Sequence, residues 1–189
     1  MITFIIPSIA RQTLAKTIIS ILNQSDGDWK CIIVFDGCTI TPRVKMLVNN
    51  DLRFSYFTIE KTGVKNNAGN VRNVAMRKVS TEWIGFVDDD DTLSPEYVKI
   101  LKNEVELHDP DTVIFRMKNN TYESVLPIPG INTFPPICGV GISFCMKKTV
   151  FDSGCIFIPS DYEDYHLLKK IKDSGYKIIL SDHIGYFIR

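Results

Sequence analysis

The 189-residue sequence lacks an excess of charge of either sign, because 22 Lys and Arg residues balance 22 Asp and Glu residues. A net charge near zero creates no overall field that would attract nucleic acid or an anionic membrane. We therefore expect no nucleic-acid partner, and any recognition of phosphate must be local.

The sequence also lacks paired cysteine motifs and long apolar runs. Its five cysteines show no CxxC or CxH spacing, which favours free thiols in a reducing compartment. Residues 1–7 contain no basic leader, and no later segment approaches ~18 uninterrupted apolar residues. We expect a cytoplasmic protein without a transmembrane segment, able to lie at a membrane only through the molecule it acts on.

Predicted strands and helices alternate through the first half of the chain. Apolar runs predict strands at 2–6, 29–35, 54–59, 83–87 and 112–115, and helical spacing or caps predict helices at 14–22, 42–48, 68–79 and 94–107. This order predicts an α/β fold, with a mostly parallel open sheet flanked by helices. Such sheets bind ligands just beyond the carboxyl ends of their strands.

The second half is less regular. Residues 122–136 are rich in Pro and Gly and predict a loop or edge segment that carries substrate contacts. A strand at 142–147, a helix at 161–174 and a last strand at 176–180 follow. No repeat or linker divides the chain, so we expect a single domain, 1–189, with halves of about 1–115 and 116–189.

Four successive carboxylates, residues 88–91, follow the predicted strand 83–87. We call them the acidic run. Two like charges ~4 Å apart at an effective dielectric of ~20 repel by roughly 4 kcal/mol, which proteins normally avoid. Mg²⁺ or Mn²⁺ would turn this repulsion into attraction and would also bind substrate phosphates. The alternative is a solvated acidic turn that caps the helix beginning at Ser94.

Other candidates have competing interpretations. Asp36 ends a strand and can accept hydrogen bonds from a base or ribose, or simply form an Asp-Gly turn. Residues 66–73 bring amides and an Arg to a helix start, for phosphate binding or ordinary capping. Glu163 and Asp164 can be partners of a helix dipole, or one can be a general base. His183 is either a third metal ligand or structural.

These segments together resemble the family 2 glycosyltransferases of the GT-A fold over nearly the whole chain. The resemblance rests on five ordered parts: 4–8 with 17–24; 32–37; 69–73, similar to a "GxxRN" element; 83–95, WIGFVDDDDTLSP, similar to the DXD signature; and 141–150 followed by 162–165 and 175–177, with an "ED" motif. It implies a GT-A sheet with a small mixed second sheet, and a nucleotide-diphospho-sugar donor.

The resemblance also implies roles for individual residues. Asp164 would be the catalytic base with Glu163 beside it, and Asp90 and Asp88 would hold Mn²⁺ or Mg²⁺. The nucleotide-sugar-binding residues would be Pro7, Ser8, Asp36, Asn67, Arg72, Asp88 and Asp89.

The implied reaction is inverting transfer from a UDP-sugar to the hydroxyl of an unidentified glycan, lipid or protein. One alternative is a non-catalytic scaffold domain that binds nucleotide sugars. Another is a sugar-nucleotide pyrophosphorylase, which would have a Gly-rich loop after the first strand, where residues 7–11 contain no Gly.

Overall fold

The computed structural model describes residues 1–62 and 68–189. The predicted nucleotide contact of Asn67 lies outside these residues. The strands are β1 (Ile2–Ser8), β2 (Trp29–Asp36), β3 (Phe54–Ile59), β4 (Trp83–Phe86), β5 (Thr92–Leu93), β6 (Thr112–Asn119), β7 (Val125–Leu126), β8 (Phe144–Lys147) and β9 (Ile178–Ile188). The helices are α1 (Leu14–Leu22), α2 (Pro42–Val48), α3 (Ala68–Met76), α4 (Tyr97–His108), α5 (Lys148–Asp152) and α6 (Glu163–Asp173).

The strands pair in the order β3-β2-β1-β4-β8-β6-β9-β5, with β7 added beside β6. Strands β3, β2, β1 and β4 are parallel, and all seven residues of β1 are buried, as expected for a central strand covered on both faces. The predicted α/β fold with an open sheet and flanking helices is confirmed. One detail differs: the mixed strands continue this sheet, so the described residues form no separate second sheet.

The sequence periodicity explains the first helices. In α1, buried Leu14, Ile18 and Ile21 recur at helical spacing and face the sheet. Helix α2 begins as predicted, because Thr41 caps it by accepting a hydrogen bond from the backbone N–H of Val44 at 3.4 Å.

Several predicted boundaries were wrong. Helix α3 ends at Met76 instead of Val79, and β6 runs to Asn119 instead of ending at Phe115. Strand β9 runs to Ile188 instead of ending near residue 180, and its last residues pair with the short strand β5. The backbone N–H of Ser94 donates to the carbonyl of Gly185 at 2.9 Å, so α4 begins only at Tyr97. A strand pairing between segments distant in sequence therefore replaced the helix start that Ser94 and Pro95 indicated.

The segment 122–136 lies at the sheet edge, as predicted. It contributes β7, and buried Arg116 donates hydrogen bonds to the carbonyls of Pro127 and Ile128 at 2.7 and 2.8 Å. Buried apolar side chains from both halves of the chain form one continuous cluster. Within the described residues, no helix is both long and apolar enough to cross a bilayer.

Candidate functional site

A cleft of about 410 Å³ opens at the carboxyl ends of the parallel strands. We call it the edge cleft. It is lined by Pro7, Ser8, Ile9, Arg11, Asp36, Lys61, Ala68, Val71, Asp88, Asp89 and Asp90. The fold thus brings together most of the residues predicted to bind a nucleotide sugar, at the edge where such sheets bind ligands.

Asp36 is fixed at one end of the edge cleft. Its two carboxylate oxygens accept hydrogen bonds from the backbone N–H and the hydroxyl of Thr62, at 3.0 and 3.1 Å. The turn beside it needs glycine, because Gly37 has φ +67° and an added Cβ would lie 2.4 Å from the Cβ of Lys61. Asp36 therefore lies in a fixed orientation at the edge cleft.

The acidic run alternates between cleft and interior. Asp88 and Asp90 each expose 38% of the side chain, whereas Asp89 and Asp91 are buried. Each of the four carboxylates has its own protein partner. The mutual repulsion noted from the sequence is therefore relieved in part by the protein itself.

Asp89 supports the cleft from below. It accepts hydrogen bonds from the hydroxyl of Ser8 at 2.7 Å and the backbone N–H of Ile9 at 3.3 Å. Burial raises the pKa of its carboxyl, and these donors oppose that rise. The oxygens of Asp89 hold the loop after β1 in place. Asp89 therefore shapes the cleft.

Asp91 joins the acidic run to the end of the chain. It accepts a hydrogen bond from the backbone N–H of Arg189 at 3.1 Å, and burial raises its pKa to about 6. The buried hydroxyl of Tyr186 also contacts Asp91, and it accepts a hydrogen bond from the backbone N–H of Asp88 at 3.0 Å. Strand β9 thus fixes the position of the acidic run, a contribution that the sequence did not indicate.

Arg72 on α3 lies beneath the cleft and joins three carboxylates. Its side chain is only 3% exposed, with Nη2 2.5 Å from Asp88 Oδ1 and Nη1 2.6 Å from Glu163 Oε1. Nη1 also lies 4.0 Å from Asp164 Oδ1. The residue predicted to line a base and ribose pocket therefore connects the acidic run to α6 and is absent from the cleft lining.

Glu163 holds α6 against α3. Its Oε2 accepts a hydrogen bond from the backbone N–H of Gly69 at 3.0 Å, while Oε1 pairs with Arg72. An added Cβ on Gly69 would lie 2.4 Å from that Oε2 and 2.8 Å from the Cβ of Phe157, so glycine permits this approach. Both oxygens of Glu163 are committed to contacts within the protein.

Asp164 differs from Glu163 in that one of its carboxylate oxygens is not committed to a contact within the protein. Its Oδ1 is covered and has no hydrogen-bond partner among the described residues. Burial raises its pKa to about 7; the charges of Asp88 and Glu163 add to the rise, and Arg72 opposes it. A carboxyl with a pKa near neutral is suited to accept a proton.

The candidate metal ligands are Asp88 and Asp90 without His183. His183 lines a separate cavity between α4 and β9, together with Glu104 and Asp182, so the structure does not bring this predicted ligand to the acidic run. Among residues 1–62 and 68–189, no three His, Cys, Asp or Glu side chains form a metal-holding group. Mg²⁺ and Mn²⁺ are also bound by only one or two carboxylates when substrate phosphates complete the coordination. The partly exposed Asp88 and Asp90 fit this arrangement.

The chain is similar in sequence to known proteins. The family model described as "Glycosyl transferase family 2" matches residues 3–158. UDP-Glc:alpha-D-GlcNAc-diphosphoundecaprenol beta-1,3-glucosyltransferase WfgD from Escherichia coli is 26% identical over 191 residues, which cover 95% of this chain and 73% of that protein.

Solved structures share the fold. S. aureus TarS 1-349 in complex with UDP matches with a TM-score of 0.81 at 17% identity, over 98% of this chain and 59% of that one. Mannosyltransferase PcManGT from Pyrobaculum calidifontis, in complex with GDP-Man and Mn²⁺, matches with a TM-score of 0.69 at 14% identity, over 98% of this chain and 56% of that one. The chain spans less than two thirds of each of these structures, and their likeness confirms a GT-A-like fold.

Proposed function

Because the chain belongs to glycosyl transferase family 2, we propose that it transfers a sugar from a nucleoside diphosphate donor to an acceptor hydroxyl, with Asp164 as general base. The family agrees with the predicted class of enzyme, a glycosyltransferase. One observation carries the assignment of the base: Asp88, which lines the edge cleft, and Asp164 both lie beside the guanidinium of Arg72.

The donor side of the proposal rests on the edge cleft. Asp36 offers fixed carboxylate oxygens to a base or ribose at one end, and the acidic run lies at the other. The UDP and GDP-Man in the two structural neighbours support a nucleotide at this edge, and we favour a UDP-sugar. Asp88 and Asp164 approach different nitrogens of the Arg72 guanidinium, so the base lies close to the acidic run, and we favour direct displacement with inversion.

The acceptor proton would go to Oδ2 of Asp164, because Oδ1 is covered and no acceptor hydroxyl can reach it, whereas a quarter of the side chain is exposed. The pKa of this carboxyl, near 7, leaves a large part of the molecules in the charged form at neutral pH. The guanidinium of Arg72, 4.0 Å from Oδ1, favours the charged form of this carboxylate. General bases of this kind contribute roughly 10²- to 10⁴-fold to rate.

Asp90 and Asp88 would hold Mn²⁺ or Mg²⁺, and the Mn²⁺ in PcManGT supports this proposal. When bound, such a cation neutralises charge that develops on the leaving diphosphate. We expect Asp90→Asn to weaken Mn²⁺ binding in a titration followed by electron paramagnetic resonance. Asp161→Asn, which removes an exposed carboxylate outside the edge cleft, is the control. Equal Mn²⁺ affinity in Asp90→Asn and wild type would exclude Asp90 as a ligand.

The acceptor would be a sugar carried on a lipid diphosphate. WfgD, whose name specifies such an acceptor, matches 95% of this chain, and the segment 122–141 exposes Ile128, Ile131 and Ile137. Transfer to a lipid-linked GlcNAc diphosphate but not to free GlcNAc would support this acceptor class. Equal transfer to both would contradict it.

The decisive test of the function is nucleotide release with Mn²⁺ present. Donors carrying UDP, GDP and dTDP are screened first, and the best is assayed with Asp164→Asn and with Asp161→Asn as control. We expect Asp164→Asn to lose at least about 100-fold in turnover and Asp161→Asn to match wild type. Undiminished turnover in Asp164→Asn would contradict the assignment of the base.

Two other results would favour the alternatives. Nucleotide binding without release would favour a scaffold domain. Release of pyrophosphate from a nucleoside triphosphate and a sugar 1-phosphate would identify a pyrophosphorylase.

A further inference from the structure

Arg11 lies in the edge cleft, and none of the roles above uses it. It follows β1, and 48% of its side chain is exposed. Its Nη1 lies 2.6 Å from Asp90 Oδ2 and 3.3 Å from Asp89 Oδ1. A half-exposed guanidinium therefore rests on the carboxylate that the proposed function gives to a divalent cation.

The backbone before Arg11 is held in a conformation that costs energy. Ala10 has φ +63°, a left-handed conformation that non-glycine residues rarely adopt. Its N–H donates to the hydroxyl of Ser8 at 2.9 Å, and that hydroxyl donates to buried Asp89. Asp89 thus fixes the loop after β1, and the side chain of Arg11, which follows Ala10, lies over the cleft. Strain that persists under such constraints is typical of functional sites.

The charges of the cleft show what this side chain can bind. Among the residues that the structure describes, the lining carries four carboxylates, Asp36, Asp88, Asp89 and Asp90, and two basic residues, Arg11 and Lys61. A nucleoside diphosphate entering this cleft needs cationic partners. Arg72 cannot serve, because its guanidinium is buried against carboxylates. The planar fork of Arg11 matches phosphate geometry and remains accessible.

We propose that Arg11 is a binding residue for the donor diphosphate, which rests on the proposed function. A divalent cation and the guanidinium compete for the oxygens of Asp90. With Asp90 engaged by a cation, Arg11 would release that carboxylate and donate to the phosphate oxygens of the donor instead. Arg11 thereby contributes to affinity for the diphosphate and opposes metal binding when no nucleotide is bound.

The test compares Arg11→Gln with Lys16→Gln, which removes an exposed positive charge from α1 outside the cleft. UDP, GDP and dTDP are first titrated into wild type with MnCl₂. The diphosphate that binds most tightly, and the nucleoside derived from it, are then titrated into both variants. We expect Arg11→Gln to bind the diphosphate about tenfold more weakly, as for loss of a charge-assisted hydrogen bond, and the nucleoside with unchanged affinity. Nucleotide-free Arg11→Gln should bind Mn²⁺ about threefold more tightly.

The outcomes are distinguishable. Equal affinity of Arg11→Gln and wild type for the diphosphate would overturn the role of Arg11 and leave the proposed function intact. Equal weakening of diphosphate and nucleoside would also overturn it, because that result indicates a distorted cleft. If wild type binds none of the three diphosphates, the proposed function is wrong and the role of Arg11 is lost with it.

Discussion

Replacing Asp164 with Asn should stabilise the protein near neutral pH. Burial raises the pKa of Asp164 from 3.8 to about 7, so the folded state holds this carboxylate charged only at a cost. Because the folded pKa lies above the unfolded one, the favourable contribution of the protonated group is complete below about pH 4 and lost as the pH rises to about 7. The amide introduced by Asp164→Asn does not ionise, so the variant keeps its stability as the pH rises.

The magnitude follows from the shift. A rise of about three pKa units corresponds to about 4 kcal/mol at roughly 1.4 kcal/mol per unit, which is an upper limit. A quarter of the Asp164 side chain is exposed, and solvent reduces the cost, so we expect a gain of about 2 kcal/mol at pH 8. For a chain of this size that is an increase in Tm of about 4–8 °C.

The assay is thermal denaturation at two pH values. A pH of about 5 lies roughly a third of the way from the unfolded pKa of 3.8 to the folded pKa of about 7. The gain in stability of Asp164→Asn over wild type should therefore be about a third of the gain near pH 8. Asp161→Asn should match wild type at both. A gain that is equal at both pH values, or no gain near pH 8, would show that the charge of Asp164 costs nothing in the folded state.

Three further substitutions test the surrounding contacts. Glu163→Gln should keep part of the turnover and lower the pKa of the acidic limb of the pH–rate profile, because the charge of Glu163 raises the pKa of Asp164. Gly69→Ala should lower the free energy of unfolding by about 1–3 kcal/mol through overpacking; Gly27→Ala, whose new Cβ would meet no atom closer than 3.4 Å, should not. Tyr186→Phe should lower both Tm and Mn²⁺ affinity.

The sequence predicted the parallel half of the fold and the location of the cleft. Apolar runs located β1 to β4, and the carboxyl ends of parallel strands meet at one edge whatever the surrounding packing. Polar residues at the ends of those strands, such as Asp36 and Asp88, could therefore be assigned to one site from the sequence alone.

The roles of individual carboxylates could not be predicted, because each depends on a partner distant in sequence. Glu163 and Arg72 are 91 residues apart, and Arg11 and Asp90 are 79 apart. Adjacent acids look equivalent in the sequence, yet Asp89 is buried and Asp90 half exposed. Only the packing of the loop after β1 and of α6 against α3 distinguishes them.

Tyr186→Phe isolates the contribution of β9 to the proposed metal site. The ring is buried and stays in place, so the substitution removes only the hydroxyl, which accepts a hydrogen bond from the backbone N–H of Asp88 and contacts Asp91. Leaving these buried groups unsatisfied should cost about 1–3 kcal/mol. Because that hydrogen bond fixes the backbone of Asp88, Mn²⁺ should also bind more weakly, as measured by titration. Tyr122→Phe, at an exposed tyrosine, should change neither quantity, and a Tyr186→Phe protein with lowered Tm but unaltered Mn²⁺ affinity would limit Tyr186 to a purely structural role.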